Sequence, residues 1–171
     1  RSRLVRGVAP KPCLSRFQLL YRLGATPMFI GEYVHSIDPK KRLALPSKFR
    51  GELGSRVVIT RGLDGALIIY PMKVWEELAQ KLGSLPIGEN GKRSFTRLML
   101  AGASDVEVDS QGRVLLPEYL KEAAALKKEV TVVGLYNRLE IWDTALWKRY
   151  KHQAEKNTEK IANELGALGI Y

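Results

Sequence analysis

The chain has 171 residues, of which 45% are hydrophobic and 27% charged, enough to bury a real core and too apolar for wholesale disorder. No run approaches the ~18 apolar residues of a membrane span, and the single cysteine, Cys13, excludes an internal disulfide framework or a cysteine-rich metal fold. The net charge of +10 points to a polyanionic partner, but six of those charges lie within residues 1–27, leaving the rest only mildly basic at +4.

That first segment carries Arg1, Arg3, Arg6, Lys11, Arg16 and Arg22, no acid, and Pro10 and Pro12. Three readings fit it: foreign or mis-annotated sequence upstream of a start at Met28, a basic arm that touches phosphates, or a mitochondrial transit peptide. The first is preferred, because the chain begins with Arg and a start-like Met stands at position 28. The segment is set aside from the expected fold.

From Met28 onward the chain repeats itself. Ile37-Asp38-Pro39-Lys40-Lys41-Arg42-Leu43-Ala44-Leu45-Pro46 matches Val108-Asp109-Ser110-Gln111-Gly112-Arg113-Val114-Leu115-Leu116-Pro117 at an offset of 71. Arg61–Tyr70 matches Val133–Trp142 at an offset of 72, and Trp75 and Trp147 keep it. Two copies at so long a period make a tandem pair rather than a solenoid.

In chain order, Glu32–Ile37 is expected to be extended, Asp38–Lys41 a turn, and Arg42–Leu45 extended again. Pro46 ends that strand and precedes a short helix at Ser47–Glu52. Arg56–Thr60 is β-rich, and Asp64-Gly65 between apolar runs marks a hairpin. Helices follow at Met72–Leu82 and Ser94–Ala101. The second copy repeats the plan: Ser104–Val108 extended, Asp109–Gly112 a turn, Arg113–Leu116 extended, Glu118–Ala125 helical, Glu129–Val133 β-rich, and a hairpin turn at Asn137-Arg138. Asp143 can cap a helix reaching about Leu165.

The organisation read from this is 28–80 as a first repeat, 81–103 as a helical connector, 104–150 as a second repeat and 151–171 as a C-terminal helix or tail. One repeat of about 50 residues is too small to close a core easily. Two repeats can exchange hairpins into one shared small β-barrel, which gives the duplication a structural reason. The expected class is α+β with a mainly β core and flanking helices.

Met28-Phe29-Ile30-Gly31-Glu32-Tyr33, then Ile37-Asp38 through Arg42-Leu43-Ala44-Leu45-Pro46-Ser47-Lys48-Phe49-Arg50, closely resembles the start of the bacterial MraZ family. Asp109 to Arg113 followed by Leu116-Pro117 resembles that family's second repeat, and the likeness runs to about Tyr150. The resemblance implies two tandem AbrB-like swapped-hairpin units, a ring-shaped homo-oligomer, sequence-specific binding of double-stranded DNA, and regulation of the division and cell-wall gene cluster. The single cysteine fits a reducing, cytoplasmic setting, and the expected protein is nucleoid-associated and takes no cofactor. The family's Asp-x-x-x-Arg motif carries over to Asp38 with Arg42 and to Asp109 with Arg113.

Such a turn places a carboxylate at its entry and a guanidinium at its exit, close enough to pair, so the Arg is held extended before binding. Arg is the commonest reader of guanine, and a two-stranded ribbon fits the major groove. Lys40 and Lys41 suit phosphates, while Gln111 can bond a base, so the two turns should not be equivalent. An Asp opening a turn and an Arg closing it also need no ligand at all; the recurrence at matched positions favours binding. Trp75 and Trp147 are expected as core or interface anchors, and Arg50, Arg56 and Arg61 as surface charges, with Arg61 able to flank the binding face. His35 and His152 stand alone, and no nucleophile elbow, phosphate-binding loop, zinc-protease motif or dinucleotide fingerprint is present. The competing classes are an oligomeric scaffold that ignores DNA and a barrel-fold enzyme.

Overall fold

A computed structural model of the chain describes residues 27–85, 90–158, 162, 164 and 166. The first repeat contributes β1 (Phe29–Ser36), β2 (Arg42–Ala44), α1 (Ser47–Leu53), β3 (Arg56–Arg61), β4 (Leu67–Pro71) and α2 (Met72–Gly83). Then come α3 (Asn90–Ala101), β5 (Ser104–Glu107), β6 (Arg113–Leu115), α4 (Glu118–Ala123), β7 (Glu129–Tyr136), β8 (Arg138–Asp143) and α5 (Thr144–Lys156). The readings of residues 1–26 and of the end of the last helix, to about Leu165, fall largely outside the described residues.

Pairing crosses between repeats at nearly every step. The large sheet runs β1-β7-β8-β4-β3-β5, and β2 pairs with β6 in a separate two-stranded ribbon. Among the described residues, β3–β4 and β7–β8 are the only strand ladders within a repeat, each antiparallel and joined by a tight turn. Strand β1 lies on β7 of the other repeat, β5 on β3, and β4 on β8. Exchanging the labels of the two repeats reproduces the same order, so the fold has an internal two-fold. Bridges Ile37↔Leu43 and Val108↔Val114 join the ribbon to β1 and β5. They close the circuit into the expected shared barrel.

The turns after β1 and β5 therefore do not close ordinary hairpins. Each has one bridge back to its own repeat, and its second strand pairs with the other repeat instead. At the second hairpin the tight turn is Tyr136-Asn137, one residue earlier than expected, because Arg138 is already paired with Leu135. Tyr136 takes φ +58° there. The Asp64-Gly65 turn has φ +56° and +85°, which suits the twist of the strands it joins.

Alternation along the strands divides two layers. Val132 and Ile141 face the main core with Phe29, Leu43, Leu45, Phe49, Val114 and Leu116, all buried. Their neighbours Val133 and Trp142 face outward into a second cluster with Leu146 and Trp147 of α5. The ribbon's inner face thus caps the main core, while α5 covers the opposite side of the sheet. Asp143 caps α5, accepting from the N–H groups of Ala145 (3.1 Å) and Leu146 (3.2 Å). Trp147 is half-buried and donates from Nε1 to Glu32 at 3.0 Å, and Trp75 lies on Tyr70 with ring centroids 5.8 Å apart. Among the described residues no helix is long and apolar enough to cross a membrane.

Candidate nucleic-acid interface

Both Asp-x-x-x-Arg segments fold into the same closed turn. In the first, the Asp38 N–H donates to the Arg42 carbonyl (2.9 Å) and the Lys41 N–H donates to the Asp38 carbonyl (2.9 Å). The Asp38 side chain then locks the loop from inside: Oδ1 accepts from the Arg42 N–H (2.9 Å), and Oδ2 accepts from Arg42 Nε (2.8 Å) and Nη2 (2.7 Å). In the second, Asp109 Oδ1 accepts from the Arg113 N–H (2.9 Å), and Oδ2 accepts from Arg113 Nε (2.8 Å) and Nη2 (2.7 Å). Oδ1 also accepts from the Gln111 N–H at 2.9 Å.

Backbone and side-chain donors from Arg42 hold the Asp38 carboxyl below the usual carboxylate range, the backbone bond being the larger cause. For Asp109 the Arg113 side chain is the larger cause and its backbone N–H the next. Each guanidinium spends its Nε edge on the carboxylate. The distal edge, with one N–H from each Nη, is a planar two-donor fork that the carboxylate does not engage, on side chains that are 32% (Arg42) and 26% (Arg113) exposed.

The ribbon sets the two forks side by side. Arg42 is opposite Leu115, Leu43 opposite Val114, and Ala44 opposite Arg113. Cross-strand partners share a face, so Leu43 and Val114 point into the core while Arg42, Ala44, Arg113 and Leu115 form the outer face. The turns also grip one another: the Leu45 N–H donates to the Gly112 carbonyl and the Leu116 N–H to the Lys41 carbonyl, both at 2.9 Å.

The fourth residue of each turn must take positive φ, and here the repeats differ. Lys41 has φ +61° and Gly112 +73°. Lys41 reaches Glu118 of α4 at 2.7 Å, and that contact holds the Glu118 carboxyl below its usual range. Gly112 is buried under Arg50, whose Nε occupies the place that a Cβ would take there. Arg50 Nε donates to the Leu45 carbonyl at 2.8 Å. Arg50 is therefore not the plain surface charge that its sequence context suggests; it is docked on the second turn. The only sequence signal for it is that Gly stands at 112 where the other repeat has Lys.

Around the first turn the chain gathers further cations. Lys121, Lys127 and Lys128 line a hollow of about 340 Å³ together with Ile37, Asp38 and Pro39. They come from α4 and the approach to β7, so their convergence on a turn ~80–90 residues earlier is invisible in the linear sequence. Lys40 and Gln111 are exposed at the two turn tips. Arg56 pairs with Asp105 across β3 and β5, and Arg61 Nε is buried without a hydrogen bond. Among the described residues there is no cluster of three or more His, Cys, Asp or Glu able to hold a metal ion.

Comparison with known proteins places this architecture. The family described as "MraZ protein, putative antitoxin-like" matches residues 28–98 and again 99–167, one match per repeat. The chain is 48% identical over 143 residues to the transcriptional regulator MraZ of Halothermothrix orenii, covering 84% of this chain and 100% of that protein. It is 48% identical to the transcriptional regulator MraZ of Pelotomaculum thermopropionicum (84% and 99% covered) and 45% identical to that of Acetivibrio thermocellus (84% and 100%). The intertwined, mainly β barrel fits two tandem AbrB-like units. With both repeats matched and relatives aligned along nearly their whole length, this chain belongs to the MraZ family.

Proposed function

We propose that the protein is a sequence-specific DNA-binding transcriptional regulator that reads the major groove with the outer face of the β2/β6 ribbon. The observation that carries this reading is the matched pre-ordering of two part-exposed guanidinium groups, Arg42 and Arg113, on the outer face of one ribbon. A two-stranded ribbon fits the groove, and an Arg fork matches guanine O6 and N7. The relatives' names as transcriptional regulators support the same class. Lys40, Lys121, Lys127 and Lys128 suit phosphates, and Gln111 suits a base edge. Lys41 joins the phosphate contacts on exchanging Glu118 for DNA.

The protein acts as a homo-oligomeric ring, with several ribbons engaging direct repeats upstream of division and cell-wall genes in the nucleoid of the cytoplasm. Exposed apolar side chains at Met28, Ile30, Val34, Leu63 and Tyr136, each more than half accessible, support burial against another copy.

The test is titration of a duplex from upstream of the protein's own gene at two salt concentrations. Wild-type protein should bind with a steep salt dependence, by ~0.9 log units per phosphate contact. Arg42→Ala and Arg113→Ala should each cost ~1–3 kcal/mol per affected contact at the operator and little on unrelated DNA. Lys40→Ala or Lys128→Ala should weaken all sequences alike. A folded double Arg variant that keeps full operator affinity would refute the assignment.

A further inference from the structure

Leu115 is 55% exposed, although its neighbours Val114 and Leu116 are essentially inaccessible. It lies on the same outer face as Arg42, Ala44 and Arg113, directly across the ribbon from Arg42. The equivalent position of the first repeat is Ala44, so the ribbon does not need bulk there to pair. A lone exposed leucine is ordinary on a protein surface; a leucine set between two pre-ordered guanidinium forks is placed among the groups that would meet the bases.

We propose that Leu115 is a specificity-determining residue that packs on the C5-methyl group of a thymine next to the guanine read by Arg42. This rests on the DNA-binding reading above. The thymine methyl is the one apolar group on the major-groove edge of a base pair, and apolar side chains recognise it. Side chains directly opposite on a ribbon are about 5 Å apart at Cβ, whereas bases along a strand are spaced by about 3.4 Å. Leu115 therefore falls one or two base pairs from the guanine under Arg42. Ala44, beside Arg113, is too short to make the same contact. The ribbon's two ends then read different bases despite their matched Asp-x-x-x-Arg turns, and each protomer reads its site with a defined direction.

The probe is the duplex from upstream of the protein's own gene, with each thymine of one protected box replaced singly by deoxyuridine, which deletes only the methyl group. Wild-type protein should lose about fourfold in affinity at one thymine beside a guanine, the factor that burial of one methyl group confers. Leu115→Ala should bind the thymine and uracil duplexes equally at that position while keeping its assembly mass by light scattering. Ala44→Leu should create a second methyl-sensitive position next to the guanine read by Arg113. Methyl sensitivity that persists in Leu115→Ala, or is absent from the wild type, overturns the proposal. So does a change of assembly mass, which would make Leu115 a subunit contact. If Arg42→Ala still weakens operator binding as expected while the uracil scan is silent, only the role of Leu115 falls. If wild-type protein ignores the duplex at every salt concentration, the DNA-binding reading falls with it.

Discussion

At the fourth position of each turn the backbone makes the same demand and the two repeats answer it differently. Positive φ is strained for a lysine and free for a glycine, so Lys41 sits at φ +61° at some cost that Gly112 avoids. The glycine has a second reason: Arg50 fills the space a Cβ would occupy. Gly112→Ala should therefore strain the turn and dislodge Arg50, lowering stability by about 1–2 kcal/mol in chemical denaturation and weakening operator binding. The Lys41–Glu118 pair is half-exposed and contributes little to folding. Its carboxylate does compete with phosphate for the ammonium. Glu118→Gln should consequently tighten binding to DNA of any sequence a few-fold at low salt, with an unchanged melting temperature; weaker binding by filter assay would show that Glu118 orients Lys41 instead.

Among the elements, the dependence of each repeat on the other is the main consequence. Strands β1, β2 and β4 of the first repeat all pair with strands of the second, and β5 closes on β3. Residues 28–85 expressed alone would keep one hairpin and expose the faces of Phe29, Leu43 and Leu67. That fragment and its complement, 86–171, should each aggregate or show no cooperative melting, and mixing them should restore part of the native circular dichroism. Two separately folded monomers would contradict the shared barrel. Helix α1 is anchored to β1 through Phe49, which meets Phe29 and Tyr33 edge-on with ring centroids 5.4 and 5.3 Å apart. Truncating it, Phe49→Ala, should cost about 3–5 kcal/mol in denaturant melts.

His35 is held below its ordinary value of 6.5, first by burial and then by the Arg50 charge. The unfolded chain therefore binds this proton more readily than the folded one. The stability associated with neutral His35 is present above about 6.5 and is lost as pH falls through the lower folded value. Asp38 and Asp109 have the same sign in a more acidic window, below the usual carboxylate range. His35→Gln should flatten the stability profile just below neutrality and leave the steeper acid limb, as followed by denaturant midpoint against pH. In a ring, copies follow one another head to tail, so the operator should hold direct repeats spaced by about 10–10.5 base pairs. Inserting five base pairs between two boxes should collapse affinity and ten should restore part of it. Equal binding at all spacings would reject the ring model of recognition.

The linear chain by itself determined the duplication, the two Asp-x-x-x-Arg turns and the positions of most strands and helices, because these depend on local chemistry. Asp folds onto nearby N–H groups, proline ends strands, and apolar residues alternate wherever the chain is extended. Locality also explains why the Asp143 cap was legible. The duplication suggested a shared barrel; what the tertiary structure decided is which distant residues meet in it. The pairing of β2 with β6 places Arg42 and Arg113 on one face. The docking of Arg50 on Gly112 and the convergence of Lys121, Lys127 and Lys128 on Asp38 likewise join residues far apart in sequence. The second hairpin turns at Tyr136-Asn137, one residue before the Asn137-Arg138 that local turn chemistry suggests, because its register is set by the ladder between β7 and β8. A short strand's own sequence specifies which of its faces is apolar; its partner is chosen by closure of the barrel, which no local pattern encodes.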